Sequence, residues 1–267
     1  MLKDITLGQY FPGNTPIHRL DPRTKLIMVI VYIVALFSAE WVVSYAIVLA
    51  ALTAVVLISR IEPKVILRSI KPLLFIIALT GLLNLFYTQG TPLVSFWIFT
   101  ISREGVFSAV FMILRISMLI TGTFMLTYTT SPIALTDGLE RLLNPLKRIK
   151  VPVHELSMMM CIALRFIPTL IEETDKIINA QKARGADFET GNLLQRAKAL
   201  VPILVPLFIS SFRRADELAV AMECRCYHGG EGRTRLKELH YRPADVAVLA
   251  GGLVFMAGII VLGAFGL

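Results

Sequence analysis

The chain has 267 residues, 55% of them hydrophobic, with a mean hydropathy of +0.69 and a formal charge of +8. Soluble domains average about 45–50% apolar residues, and several apolar runs here approach bilayer length, so the sequence describes an all-α integral membrane protein. The basic residues sit beside those runs, a pattern of membrane orientation that argues against nucleic-acid binding. Three cysteines give no disulfide framework. Cys224 and Cys226 would stand on nearly opposite sides of a helix and suit a reducing cytosolic face.

Residues 1–22 read as a cytosolic lead-in with turn signals at Pro12-Gly13-Asn14 and no continuous apolar region, so no cleaved signal peptide is expected. Asp21 followed by Pro22 is a helix start: the carboxylate caps, and proline suits the first helical position. The first span is expected over about 24–39 and the second over about 41–59, with Ala39-Glu40-Trp41 as a short turn between them. Residues 60–71 carry Arg60, Lys64, Arg68 and Lys71 among apolar residues and read as an interfacial connector whose bases snorkel. The third span runs about 72–88, with Asn84 inside it.

Residues 89–104 are rich in β-branched and aromatic types (Val94, Phe96, Trp97, Ile98, Phe99, Ile101), which predicts an extended loop or hairpin. The fourth span, about 105–130, holds Arg115. A base at that depth costs roughly 2.5–3.5 kcal/mol on insertion scales, so it is either functional or a structural arginine that snorkels or pairs with backbone carbonyls. Ser131-Pro132 starts an amphipathic helix that Asn144-Pro145 kinks or ends.

Two helical arms follow. The first, about 153–183, is apolar early and charged late; 186–192 make a turn. A short helix over 193–200 is expected to break at Pro202 and Pro206, leaving a second arm over about 207–227 that Gly229-Gly230 stops. A charged linker, 231–242, leads to the last span, about 244–266. Shifting one arm by forty-one positions lays Arg184 on Arg225, Ala180 on Ala221 and Ile171 on Phe212, a weak internal repeat of a helix ending in an arginine motif.

Charge sets the topology. With the N-terminus in the cytosol, the inner segments hold four Lys or Arg before the first span, four in 60–71 and seventeen in 131–242, while the outer segments hold one, Arg103. The C-terminus then lies outside. A rival with two more spans, 156–171 and 201–212, would put Arg184, Arg196 and Lys198 outside and bury Arg165. Both consequences cost several kcal/mol on the same scales. The expected architecture is therefore about five transmembrane helices plus a cytosolic-side subdomain of amphipathic helices. It divides into 1–130 (lead-in and four spans), 131–242 (cytosolic or interfacial amphipathic helices) and 243–267 (last span).

Catalytic signatures are missing from the sequence. His18, His154, His228 and His240 form no HxxxH pair, and no CxxC accompanies them, so no metal site is expected. There is no Gly-Lys-Ser/Thr phosphate loop and no Gly-x-Ser-x-Gly elbow. A scaffold or coupling subunit remains. Ala183 and Gly185 leave room for a partner to approach Arg184, whose guanidinium can fork onto carboxylates or carbonyls. A second arginine motif implies a second receiving site.

Leu20-Asp21-Pro22-Arg23-Thr24-Lys25, Thr129-Thr130-Ser131-Pro132, Ala183-Arg184-Gly185 and Arg213-Arg214-Ala215-Asp216-Glu217-Leu218-Ala219, with Ala221-Met222-Glu223-Cys224-Arg225-Cys226, together carry a resemblance over nearly the whole chain. The chain resembles the transmembrane T component of energy-coupling factor transporters, ABC-type importers of vitamins and metal ions. The resemblance implies a non-catalytic subunit of a bacterial inner-membrane transport complex. ATP and magnesium would be bound by two partner ABC-type ATPase subunits, and the chain itself would need no cofactor. The ATPase-docking residues would be Ala183, Arg184, Gly185, Cys224, Arg225 and Cys226. A substrate-binding S component, interchangeable among several, would pack on apolar surface that includes Met158, Met159, Met160 and Leu164. The implied function is transmission of ATPase motion to the S component for vitamin uptake. The alternatives are a dedicated cobalt or nickel importer subunit of the same family, or an unrelated polytopic ion-coupled carrier. The second motif departs from the family's usual Ala-Arg-Gly: Cys224-Arg225-Cys226 keeps the arginine between two fairly small neighbours.

Overall fold

The computed structural model describes residues 10–88, 91–96, 99–186, 188, 192–229 and 238–265. The expectations for the first nine residues, for Trp97 and Ile98, for most of the 186–192 turn and for most of the 231–242 linker lie outside them. Among the described residues the regular structure is helical except for one short hairpin, and the chain divides into two compact units. One comprises Gly8–Leu139 with Leu239–Leu267; the other comprises Glu140–Glu238.

The first unit opens with α1, Pro22–Ser38, and α2, Val42–Ser59. The helix start at Asp21 is as expected: its carboxylate accepts from the backbone N–H of Arg23 at 2.9 Å, and Pro22 takes the first position. Next come α3, Pro63–Ile70, a 3-10 turn at Lys71–Leu73, and α4, Leu74–Tyr87. The extended region resolves into a hairpin, β1 Pro92–Phe96 against β2 Phe99–Ser102, antiparallel, with Phe96 opposite Phe99. Ser102 then caps α5, Arg103–Thr129, accepting from the Gly105 N–H at 3.0 Å. Ser131 does the same for α6, Pro132–Leu143, through the Ala134 N–H at 3.3 Å. The last helix of this unit, here α9, is Pro243–Ala264.

The packing of this unit turns on α5, which runs antiparallel to α1. The Tyr32 hydroxyl donates to the Met118 carbonyl at 2.9 Å, and Gly122 leaves the space the Tyr32 ring fills. Leu36, Tyr45, Val48, Met118 and Ile259 form the buried core where α1, α2, α5 and α9 meet. Arg115 donates to the Ala39 carbonyl at the end of α1, at 2.9 Å, and its guanidinium lies near the Phe37 and Tyr45 rings. Of the two readings offered for Arg115, the structure gives carbonyl pairing.

Three helix ends are laced together at the other end of the unit. Lys25 is 7% exposed. Its ammonium donates to the carbonyl of Thr129 at 2.8 Å, the Thr130 hydroxyl at 3.2 Å and the His18 carbonyl at 3.2 Å. A cation on the terminal carbonyls of α5 is favourably placed against the helix dipole. Asp245, 1% exposed, accepts from the Asp21 N–H at 2.8 Å and from the Arg242 N–H at 2.8 Å, so one carboxylate caps α9 and ties it to the entry of α1. Arg23 pairs with Asp21 at 2.9 Å, donates to the Leu239 carbonyl at 3.1 Å and lies 3.9 Å from the Tyr241 ring centroid.

In the second unit a 3-10 turn, Asn144–Ile149, ends the helical run at Pro145. The arms are α7, Val153–Ala183, and α8, Leu193–Glu223. Here the sequence expectation is corrected: α8 runs unbroken through Pro202 and Pro206. Pro206 has no N–H to offer the Pro202 carbonyl four residues back. The Gln181 side chain of α7 donates to that carbonyl instead, at 3.3 Å. A neighbouring helix thus satisfies the group that the proline orphans.

Among the described residues five helical stretches are long and apolar enough to cross a membrane: Val42–Ser59, Pro63–Tyr87, Arg103–Thr129, Val153–Ala183 and Pro243–Ala264. The number matches the expectation, but one member differs. At 17 residues α1 rises only about 25 Å, short of a hydrocarbon core of about 30 Å. In contrast α7, which the sequence reading laid near the membrane surface, meets both criteria through its apolar first half.

Two predictions follow from the laced helix ends. Asp245→Ala removes a buried acceptor from two backbone N–H groups and is expected to lower stability by about 3 kcal/mol in detergent thermal unfolding. Glu40→Ala, on an exposed turn, is expected to leave it unchanged. Burial alone would raise the Asp21 pKa, but the hydrogen bonds from the Arg23 side chain and backbone outweigh it and hold the carboxyl below its ordinary 3.8. Its stabilisation is complete above that value and is lost as pH falls through the lowered native pKa. Acid unfolding followed by circular dichroism should show that loss in the native chain and a smaller one in Asp21→Asn.

Candidate functional site

The two arms form an antiparallel pair. Near one end Arg214 of α8 lies over the Phe166 ring of α7, and at the other Gln181 reaches Pro202. Between them Arg214 donates to the Glu173 carboxylate at 2.8 Å, and the Ser210 hydroxyl donates to the same carboxylate. Glu173 and Arg214 are 41 positions apart. That is also the offset of the internal repeat, so the arms cross where equivalent positions of the two copies face each other. Self-contact of equivalent positions is the geometry of a two-fold axis, and here the two copies carry opposite charges at the contact.

Each arm ends in the same backbone closure. In α7 the Gly185 N–H donates to the Lys182 carbonyl at 3.0 Å and the Ala186 N–H to the Gln181 carbonyl at 3.0 Å, with Gly185 at φ +86°. In α8 the Cys226 N–H donates to Glu223 at 2.9 Å and the Tyr227 N–H to Met222 at 3.1 Å, with Cys226 at φ +55°. Every participant is displaced by the same 41 positions as the ion pair. These are left-handed helix caps that satisfy the last carbonyls through backbone N–H groups.

Because the backbone closes both ends, neither arginine is needed as a cap. Arg184 and Arg225 are exposed, as are Ala183, Gly185, Cys224 and Cys226. Among the described residues neither guanidinium makes a hydrogen bond or ion pair. Each lies eleven residues beyond its half of the Glu173–Arg214 pair. At 1.5 Å per residue the two tips point away from each other and stand on the order of 30 Å apart. The sequence placed Cys224 and Cys226 on one helix; in the structure α8 ends at Glu223 and both thiols lie on the turn, with Cys226 where glycine usually stands.

Of the expected apolar contact residues, Met159 and Met160 are exposed, at 55% and 45%, while Met158 and Leu164 are half-buried. A larger apolar surface lies on α8, where Val201, Leu204, Val205, Phe208, Ile209 and Phe212 are each at least 51% exposed. Their spacing of three and four puts them on one helix face. That periodicity is present in the sequence, but reading the prolines as breaks hides it. Among the described residues no three His, Cys, Asp or Glu side chains gather as a metal site would require.

A family profile described as cobalt transport protein (CbiQ) matches residues 13–236. The chain is similar to the energy-coupling factor transporter transmembrane protein EcfT of Thermosediminibacter oceani, at 54% identity over 97% of this chain and 98% of that one. It is 51% identical to the protein of that name from Ruminiclostridium cellulolyticum, over 98% of both chains. The Bacillus subtilis protein of that name is 46% identical over 96% of this chain and 97% of its own.

The partly exposed ion pair at the crossing is expected to contribute about 1 kcal/mol. Glu173→Gln and Arg214→Gln should each loosen the arms, and the double variant should lose less than the sum, as read by amide exchange in α7 and α8. Cys226→Gly relieves a left-handed non-glycine residue and should stabilise the α8 cap by about 1 kcal/mol. Slower exchange of the Cys226-turn amides, from position 224 to 227, would register it.

Proposed function

The chain belongs to the family of energy-coupling factor transporter transmembrane proteins, and on that premise we propose that its two arginine tips receive motion from two ATP-binding partner subunits. The observation that carries this reading is the pair of equivalent caps, each closed by its own backbone and each leaving a free guanidinium at an opposite end of one antiparallel helix pair. Arg184, flanked by Ala183 and Gly185, enters one partner. Arg225, flanked by Cys224 and Cys226, enters the other. Forked hydrogen bonds to carboxylates or carbonyls in a groove hold each tip.

ATP and magnesium belong to those partners, and this chain does no hydrolysis of its own. When the ATPases close, the tips move with them, and α7 and α8 shift about the Glu173–Arg214 contact. The shift changes the apolar surface offered to a substrate-binding S component, through Met158, Met159, Met160 and Leu164 on α7 and the exposed stripe on α8. The S component must contact the two arrangements differently for the shift to release substrate. Soft methionines suit a surface shared among several S components.

In this reading residues 131–242 act as the coupling domain on the cytosolic side of the bacterial inner membrane. The N-terminus lies inside and the C-terminus outside, as the Lys and Arg distribution favours. The cargo is a micronutrient, with vitamins first. The profile's description as a cobalt transport protein favours a second reading, a dedicated cobalt or nickel importer subunit.

The double substitution Arg184→Ala with Arg225→Ala should leave a membrane-inserted chain that no longer brings down ATP-binding subunits from mild detergent and no longer supports uptake. Normal co-purification and uptake would remove the docking role. Growth rescue by a vitamin against growth rescue by cobalt in a strain dependent on this chain separates the two cargo readings.

A further inference from the structure

The turn after α2 walls a groove of about 980 Å³, with residues 11–16 and His18 on one side and residues 57–62 with Val65 on the other. Its lining changes character within one helical turn. Leu57 and Ile58, in the last turn of α2, are 71% and 49% exposed, on a helix long and apolar enough to cross a membrane. Arg60 and Glu62 follow at once. The groove therefore sits where hydrocarbon gives way to headgroups, at whichever face of the membrane this end of α2 meets.

The charges in the groove are uncommitted. Among the described residues the side chains of Arg60 and Glu62 bond neither to each other nor to any other group. Arg60 is held in the left-handed region at φ +55°, with its N–H on the Leu57 carbonyl at 3.2 Å. A non-glycine residue there is uncommon, and the cap fixes where the guanidinium leaves the chain. His18 offers no third charge. Its ring nitrogens are engaged by the Thr15 hydroxyl at 2.6 Å and the Phe11 carbonyl at 3.1 Å, and burial lowers its pKa, so the ring is neutral at neutral pH.

One cation and one anion, unpaired and two residues apart at the edge of an apolar wall, complement a ligand with the same two charges and an acyl tail. We propose that this groove holds the headgroup of a phospholipid bearing a primary ammonium, of the phosphatidylethanolamine class. The phosphate forks onto the Arg60 guanidinium, the ammonium donates to Glu62, and the chains lie against Leu57, Ile58 and Val65. A phosphatidylcholine headgroup carries no N–H to donate to Glu62. A phosphatidylglycerol headgroup has no cation and meets the carboxylate with like charge.

Native mass spectrometry of the full chain in mild detergent, with the three lipids in equal competition, tests the proposal. Phosphatidylethanolamine should be retained about three- to fivefold over the other two, the range of one partly exposed ion pair. Arg60→Gln should lower retention of all three lipids. Glu62→Gln should erase the ethanolamine preference, and retention of phosphatidylglycerol should rise as the like charge is removed. Soluble phosphoethanolamine and inorganic phosphate should compete only weakly. Equal retention of the three lipids, or a preference unchanged in Glu62→Gln, overturns the proposal. So does a preference for phosphatidylglycerol that depends on Lys64 and Arg68, which would assign the attraction to the basic side of α3. Full displacement by free phosphoethanolamine overturns the lipid assignment in favour of the soluble headgroup.

Discussion

Glu173 and Arg214 stand 41 positions apart in the chain and 2.8 Å apart in space. Their contact sets the register of the two arms, and the register sets where each arm ends. Because the same offset relates the two backbone caps, the chain presents one structure twice, facing opposite ways. Opposite charge at the crossing gives the two copies a reason to meet there and at no neighbouring turn, since a slip of one turn would leave a half-buried carboxylate and guanidinium without partners. Pro206 tightens the same register from another side. The carbonyl it frees is met by Gln181, so the kink-prone stretch of α8 is held by the last turn of α7. In the proposed function these contacts allow two tips on the order of 30 Å apart to act as one body.

The membrane unit relies on a different device. Lys25 and Asp245 are buried charges, and each bonds to backbone groups at helix ends: Lys25 to the carbonyl end of α5, Asp245 to the N–H groups entering α1 and α9. Charged groups at helix termini of complementary sign are stabilised by the dipole as well as by the hydrogen bond. Three helices far apart in sequence are thus fixed at one end, and Arg115 on the Ala39 carbonyl ties α5 to the end of α1. Removing one of these charges leaves several backbone groups orphaned together, which makes them more costly to lose than surface ion pairs of similar length.

Local chemistry made much of this legible in the sequence. Asp21-Pro22 and Ser131-Pro132 announce helix starts that the structure reproduces atom by atom, because a cap depends only on its neighbours. The 41-residue repeat was visible as a faint match of residues and is sharp in the backbone. Long-range partners were not legible. The two prolines of α8 read as breaks because the group that compensates for them, Gln181, belongs to another helix. Arg115 left two readings open because its acceptor is a main-chain carbonyl, which no side-chain pattern encodes. The placement of Cys224 and Cys226 on a helix failed for a smaller reason: α8 stops at Glu223, about four residues before the expected end of the arm, and the left-handed cap moves Cys226 off the helix. The membership of α7 among the membrane-length helices turned on weighing its charged second half against its apolar first half.

In the proposed function one chain connects a membrane surface to two ATP-binding partners, and the repeat gives it one solution used twice. The central claim is that the two tips act together. Amide hydrogen exchange of the intact purified complex, compared with the isolated chain, tests it most directly. The account predicts that the amides of residues 184–186 and 224–227 both become protected when the ATP-binding subunits are present, and that both change again on adding a non-hydrolysable ATP analogue. Unchanged exchange at both tips, with protection appearing elsewhere on the chain, would contradict it.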